Sequence, residues 1–174
     1  MKFGWWRNKN FMKIVIISDI HDNLINLEKC LIWRGENKIE ELICCGDITN
    51  SETLEFLSQN FTGKIHLVKG NMEIYDEKEV EQYGNIKYYG RIGYFDVNDK
   101  NIGFCHEPFL IKKVFEKGKC DIIFYGHTHA PWTEKQDGIT TVNPGTLGAV
   151  FQKATFAVWD GETGELELKV LELI

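Results

Sequence analysis

The chain has 174 residues, of which 43% are apolar and 26% charged, and its 20 basic and 26 acidic side chains give a formal charge of -6. That length carries one substantial hydrophobic core and leaves little chain for a second, and the composition excludes a disordered polypeptide. The negative balance supplies no broad positive field, so neither nucleic acid nor an anionic membrane surface is an expected partner.

The first stretch, Met1 to Phe11, sets basic groups beside aromatics but has no sustained apolar run and no small-residue cleavage site. It fails as a signal peptide or membrane span and reads as an N-terminal extension over 1–11, with Trp5 and Trp6 in a peripheral structural role. One domain over 12–174 follows it. The five cysteines (Cys30, Cys44, Cys45, Cys105, Cys120) lie in or beside apolar runs and show no zinc-type pairing. They read as buried thiols in a reducing compartment, which makes the expected location cytoplasmic.

Lys13 to Ser18 is a nearly continuous β-branched run, the pattern of a strand covered on both faces. It ends at Asp19-Ile20-His21-Asp22-Asn23, after which Leu24, Leu27, Cys30 and Leu31 recur at helical spacing. Leu42 to Cys45 is a second strand ending at Gly46-Asp47, and Ser51 to Leu57 a short helix with Ser51 as its N-cap. Ile65 to Val68 is a third, ending at Gly70-Asn71. Three successive strands thus deliver polar residues at their C-terminal ends, where open α/β sheets build their sites.

Ile86 to Tyr89, Ile92 to Val97 and Ile102 to Cys105 are short strands, the last two joined by a turn at Asn98-Asp99-Lys100. A helix is expected over Phe109 to Glu116, then a buried strand from Ile122 to Tyr125 ending at Gly126-His127-Thr128-His129. Trp132 to Gln136, Ile139 to Val142, Thr155 to Trp159 and Glu165 to Leu171 complete the strands. The sum is a layered α/β sandwich with an increasingly antiparallel second sheet.

Four of the five histidines fall at strand ends beside glycine, an acid or another histidine; His66 lies inside a strand and reads as packing or surface. Asp19, His21, Asp47, Asn71, His106, His127 and His129 offer the carboxylate, imidazole and carboxamide donors that borderline divalent metals take. Each alone has a plainer reading. Asp19 suits loop capping, Gly46-Asp47 and Gly70-Asn71 suit turns, and His106 suits packing. Their combination at successive strand ends is what points to metal.

The ordered set Asp19-x-His21, Gly46-Asp47, Gly70-Asn71, His106, Gly126-His127-Thr128-His129 and Asn143-Pro144-Gly145-Thr146 resembles the calcineurin-like metallophosphoesterases. The likeness is to their small single-domain prokaryotic phosphodiesterases, a branch that also resembles the retromer subunit Vps29. It runs over residues 13–159. The resemblance implies a four-layer α-β-β-α sandwich with two mixed β-sheets. It also implies one metal held by Asp19, His21 and His129, a second by Asn71, His106 and His127, and Asp47 between them. Asp47, Asn71 and His106 take the catalytic role, and a bridging water or hydroxide is the nucleophile. Cations roughly 3.5–4 Å apart acidify that water and neutralise oxygens during in-line displacement. With the histidines neutral, the two metals, two carboxylates and one hydroxide leave a net charge of about +1, enough to attract an anion to an acidic protein.

The expected cofactor is two divalent ions, manganese first, with zinc, iron and nickel as alternatives. The expected activity is hydrolysis of a small phosphodiester. Phosphomonoesterase activity and a Vps29-like binding scaffold are the alternatives, a protein partner or a second copy of the chain going with the latter. Departures from the family pattern fall beside the site. Met72 cannot act as a general acid, and Glu73 reads either as an acid orienting a histidine or as a solvent-facing carboxylate. Glu107 stands where the small phosphodiesterases carry glycine. Asn23 reads as a helix cap, Asp22 stays open, Thr146 and Gly145 read equally as substrate contacts or turn, and Lys153 reads as solvent-exposed.

Overall fold

The computed structural model describes residues 13–97 and 99–174. The expected N-terminal extension and the first residue of the Asn98-Asp99-Lys100 turn lie outside them.

The β-branched runs form β1 (Lys13–Ile17), β2 (Glu41–Cys44) and β3 (Lys64–Leu67), each almost wholly buried, as a strand covered on both faces must be. They are linked by α1 (Leu24–Glu36) and α2 (Ser51–Asn60). Next come β4 (Ile86–Tyr88), β5 (Ile92–Val97), β6 (Lys100–Cys105), α3 (Ile111–Lys117), β7 (Ile122–Phe124), β8 (Trp132–Gln136), β9 (Ile139–Asn143), β10 (Thr155–Asp160) and β11 (Leu166–Val170). One sheet runs β11-β10-β1-β2-β3-β4 and the other β5-β6-β7-β9-β8. In the first, β1 to β4 are parallel, β10 runs antiparallel to β1, and β11 antiparallel to β10. In the second, β6, β7 and β9 are parallel and only the outer strands β5 and β8 run against them. The expected drift toward an antiparallel second sheet is therefore corrected. Its interior is parallel, because α3 carries the chain back between β6 and β7, and the last two strands return to the first sheet.

Strand alternation sorts the side chains into layers. Val15, Ile17, Leu42, Cys44, Ile65 and Leu67 face Leu27, Leu31, Leu54 and Leu57 of α1 and α2. Ile14, Ile16 and Ile43 face Ile102, Phe104, Ile122 and Phe124 across the two sheets. Ile123 and Cys105 pack under Val114 of α3. The order is helix, sheet, sheet, helix, with both mixed sheets inside.

Two helix starts refine the expectations. Asn23 caps α1, its Oδ1 accepting from the Asn26 N–H at 3.1 Å. The cap of α2 is Asn50 rather than Ser51, since Asn50 Oδ1 accepts from the Thr53 N–H at 2.9 Å and Ser51 already belongs to the helix. A 3-10 helix at Glu77–Gln82 was not anticipated, although Asp76 and Glu79 form a capping box at its start. The expected helix from Phe109 opens as a 3-10 turn, Pro108–Leu110, before α3.

Candidate metal centre

Parallel strands of both sheets end at the same edge, and their loops converge there. Asp19 and His21 follow β1, Asp47 follows β2, Asn71 follows β3, His106 follows β6, and His127 and His129 follow β7. Five of these seven, Asp19, His21, Asp47, His127 and His129, hold φ between 45° and 72°. Left-handed backbone is uncommon for residues with a Cβ, and where the surroundings enforce it repeatedly in one place it argues for function. The enforcement is visible. Asp19 N–H donates to Gly46 O at 3.0 Å, and the N–H groups of Ile20 and His21 both donate to Asp47 O. Gly70 and Gly126 let the loops close up: a Cβ on Gly70 would stand 2.1 Å from Asp47 Oδ1, and one on Gly126 1.9 Å from Ser18 Oγ.

All seven predicted site residues come together. His129 Nε2 lies 3.3 Å from Asp19 Oδ1 and 3.1 Å from His21 Nε2. His106 Nε2 lies 2.9 Å from Asn71 Oδ1 and 3.2 Å from Asp47 Oδ2, and His127 Nδ1 is 2.8 Å from the same Asn71 oxygen. Asp47 Oδ2 also stands 3.8 Å from His21 Nε2, so it lies between the two groups. Asp19, His21 and His129 converge tightly enough to hold one ion, as do Asp19, Asp47 and His106.

The donor chemistry fits metal. His106 Nδ1 faces the Cys45 carbonyl at 2.8 Å and His129 Nδ1 faces the Val150 carbonyl at 3.2 Å. A carbonyl only accepts, so both Nδ1 atoms carry the proton and both Nε2 atoms present lone pairs to carboxylate, carboxamide or imidazole. Lone pairs gathered in this way need a cation among them, either a proton or a metal. The titration tendencies agree. Burial lowers the His106 pKa, but its bond to Asp47 and the charges of Asp19 and Asp47 outweigh it and leave the ring raised. Burial likewise pushes Asp47 up, but His106 and the Met72 N–H hold it below the ordinary aspartate value. At Asp19 burial prevails over His106 and His129, and the pKa is raised.

Polar side chains around these donors tie the loops together. Glu73, half-buried, bonds backbone and no histidine. Its carboxylate accepts from Thr49 N–H at 2.8 Å, Gly70 N–H at 3.2 Å and Ile48 N–H at 3.3 Å, clamping the Asp47 loop to the Asn71 loop. Asp22 Oδ1 accepts from Thr53 Oγ1 at 2.8 Å and from Asn50 N–H at 3.1 Å, fastening the first loop to α2. Thr146 Oγ1 donates to Asp19 O at 2.8 Å, and Asn143 Nδ2 donates to Gly126 O and Thr128 Oγ1. The turn reading of Thr146 is therefore the right one. Lys153 is exposed and paired with Glu172. His66 is buried inside the sandwich, stacked on Phe95 and bonded to Glu41 and Tyr89, away from the other histidines.

The sequence pattern of the calcineurin-like phosphoesterase superfamily domain matches residues 12–164. The chain belongs to that superfamily. Membership brings the enzyme class, a metal-dependent phosphoesterase, with it. Among relatives of this calcineurin-like chain is phosphodiesterase MJ0936 of Methanocaldococcus jannaschii, 29% identical over 167 residues that cover 92% of the chain and all of the relative. The structure of an archaeal phosphodiesterase superposes with a TM-score of 0.81 at 24% identity, over 91% of this chain and 99% of that one. Vps29 of Chaetomium thermophilum has the same fold at a TM-score of 0.67 and 17% identity, over 91% and 95% of the two chains. Among the described residues no helix is long and apolar enough to cross a membrane.

Proposed function

We propose that this calcineurin-like chain is a phosphodiesterase working with two divalent metals. Asp19, His21 and His129 hold one, Asn71, His106 and His127 the other, and Asp47 contacts both. The observation that carries the reading is the convergence of lone pairs on two adjacent points, with Asp47 Oδ2 between His106 Nε2 at 3.2 Å and His21 Nε2 at 3.8 Å. When bound, the metals supply positive charge that polarises the phosphoryl oxygens and lowers the pKa of water.

The chain's own part is to position. The carbonyls of Cys45 and Val150 fix the tautomer and ring angle of His106 and His129. The Met72 N–H, 2.8 Å from Asp47 Oδ1, leaves Oδ2 for the centre. A water attacks in line without a serine or cysteine nucleophile, and the five cysteines are all buried. Manganese is the proposed ion on the strength of the family resemblance, and the mixed nitrogen and oxygen donors also suit zinc, iron or nickel, whose choice cellular supply would decide. The substrate is a small phosphodiester, and the free, buried cysteines suit a reducing, cytoplasmic location.

Manganese-loaded protein should hydrolyse bis(p-nitrophenyl) phosphate, and a chelator should abolish the rate. Asp47→Ala and His106→Ala should each lower it by at least about 100-fold, since even outer partners of metal ligands are worth roughly 10–100-fold. Cleavage of monoesters alone would overturn the diester preference. A loaded protein that turns over neither class would replace this reading with the protein-binding scaffold.

A further inference from the structure

Glu107 follows His106 in the position where the family resemblance leads one to expect glycine, and it is buried. Its Oε1 accepts from Arg91 Nη2 at 2.6 Å, while Oε2 is buried and has no hydrogen-bond partner among the described residues. Arg91, by contrast, has a side chain 54% exposed. The Phe109 ring lies 5.9 Å from the guanidinium carbon.

Two independent backbone constraints set the Arg91 backbone beside the segments that lead to His106 and Asn71. The ladder between β5 and β6 ends with Ile92 opposite Cys105, and Arg91 and His106 are the residues immediately beyond that last pair. From the other side, Gly90 O accepts from the Lys69 N–H at 2.7 Å, which fastens the residue before Arg91 to the segment leading into Gly70 and Asn71. The Arg91 backbone therefore lies next to the segments that continue into Asn71 and His106.

Burying the Glu107 carboxylate is costly, and an apolar residue there would spare the cost, so the pair is poorly explained as a stabilising contact. What the pair does is fix a cation. A guanidinium has five N–H donors in a planar fork; Glu107 Oε1 accepts from Nη2 alone, and no other acceptor is bonded to the group among the described residues. The remaining N–H donors match a carboxylate or phosphate.

We propose that Arg91, held in place by Glu107, is a specificity-determining residue that binds a second oxyanion of the substrate, a carboxylate or phosphate borne by the group esterified to the scissile phosphorus. The proposal rests on the phosphoesterase reading. Glu107 acts through Arg91 and is a positioning residue.

The test compares kcat/KM for four p-nitrophenyl phosphodiesters whose second ester group is uncharged, carries a choline cation, carries a carboxylate or carries a phosphate. Wild type should favour the anionic pair over the choline ester, and the better of the two names the oxyanion. Arg91→Ala should cut the anionic preference relative to the uncharged ester by about tenfold or more, and Arg91→Lys should restore part of it. Glu107→Gln should weaken the preference mainly through KM. Equal losses on all four esters would overturn the proposal. A binding arm is independent of turnover: metal-loaded protein is titrated calorimetrically with 3-phosphonopropionate and with propylphosphonate, which differ by one carboxylate. Wild type should bind the former more tightly and Arg91→Ala should erase the difference; no difference in wild type would overturn the proposal. If wild type hydrolyses no ester yet discriminates the phosphonates, the phosphoesterase reading fails and the Arg91 site stands.

Discussion

His129 Nε2 and His21 Nε2 face each other at 3.1 Å, while His129 Nδ1 spends its proton on the Val150 carbonyl. With Nδ1 committed, the neutral His129 ring accepts at Nε2, where Asp19 Oδ1 also lies at 3.3 Å. At least three electron-rich atoms therefore surround one point, and Asp47 links that point to a second made by Asn71, His106 and His127. Metal content follows from this count. Fully loaded protein should contain two divalent ions per chain, read by elemental analysis with anomalous scattering to locate them. Asp47→Ala should bring the content to one or fewer, because the shared carboxylate serves both; a variant that keeps two ions in place rules out the sharing.

The histidines divide between the two points. His129→Ala should empty the position beside Asp19 and His21, and His127→Ala the one beside Asn71, each visible as the loss of one anomalous peak. His66→Ala should leave both peaks. Its cost falls on stability instead, because Glu41 and Tyr89 lose their partner and Phe95 its stacking face. Roughly 1–3 kcal/mol is expected from the orphaned polar groups, measurable by denaturant unfolding.

Protons and metals compete for His106. Its raised pKa means that more of the ring is protonated at a given pH than for an ordinary histidine, and a protonated Nε2 cannot bind an ion. Metal affinity at the Asn71 and His106 position should fall as pH drops through a value above the usual imidazole range, while rising pH restores it. Titrations between about pH 8 and about pH 6 would show this. Affinity that stays flat over that interval contradicts the arrangement.

Glu73→Ala should lower the melting temperature and loosen metal binding together. Three N–H donors from two loops lose one acceptor, at roughly 1–3 kcal/mol for each that water does not reach. A variant with wild-type affinity and a lower melting temperature would separate the clamp from the centre.

The thiols should resist modification. Burial raises Cys105 to about 12 and Cys120, with help from Asp121, to about 11. At pH 8 the Cys120 thiolate amounts to about one part in a thousand. Native protein should take up iodoacetamide slowly at every cysteine, Cys120 leading, and quickly only in denaturant, as mass spectrometry of labelled peptides would report.

The convergence of the seven candidate donors was legible because each sits at a strand end announced by its own local pattern: a β-branched run, then glycine or a polar residue, then a ligand type. Asn23 was legible for the same reason. Glu73 was not, since its three partners become its neighbours only once β2 and β3 lie side by side, a fact of strand order that nothing near residue 73 encodes. The Arg91 and Glu107 pair depends on the register of β5 against β6 and was hidden in the same way. The 3-10 helix after Asp76 was readable, as Asp76 and Glu79 stand three apart like a capping box, but no apolar periodicity accompanies it to draw attention. The parallel interior of the second sheet was missed because the strand segments there are short, and length and alternation do not reveal direction.

The pairing of β1 with β10, and the bonds from Leu147 N–H to Ser18 O and Gly148 N–H to Asp19 O, tie the earliest part of the site to segments made more than a hundred residues later. During synthesis the ribosome releases Asp19, His21, Asp47 and Asn71 well before His127 and His129, and before the strand that flanks β1 on its open side. The early donors emerge as a half-built cradle with no means of closing. Loading of the proposed metals would therefore follow the emergence of His127 and His129, and the ion abundant where those segments fold would have the first opportunity to occupy the centre.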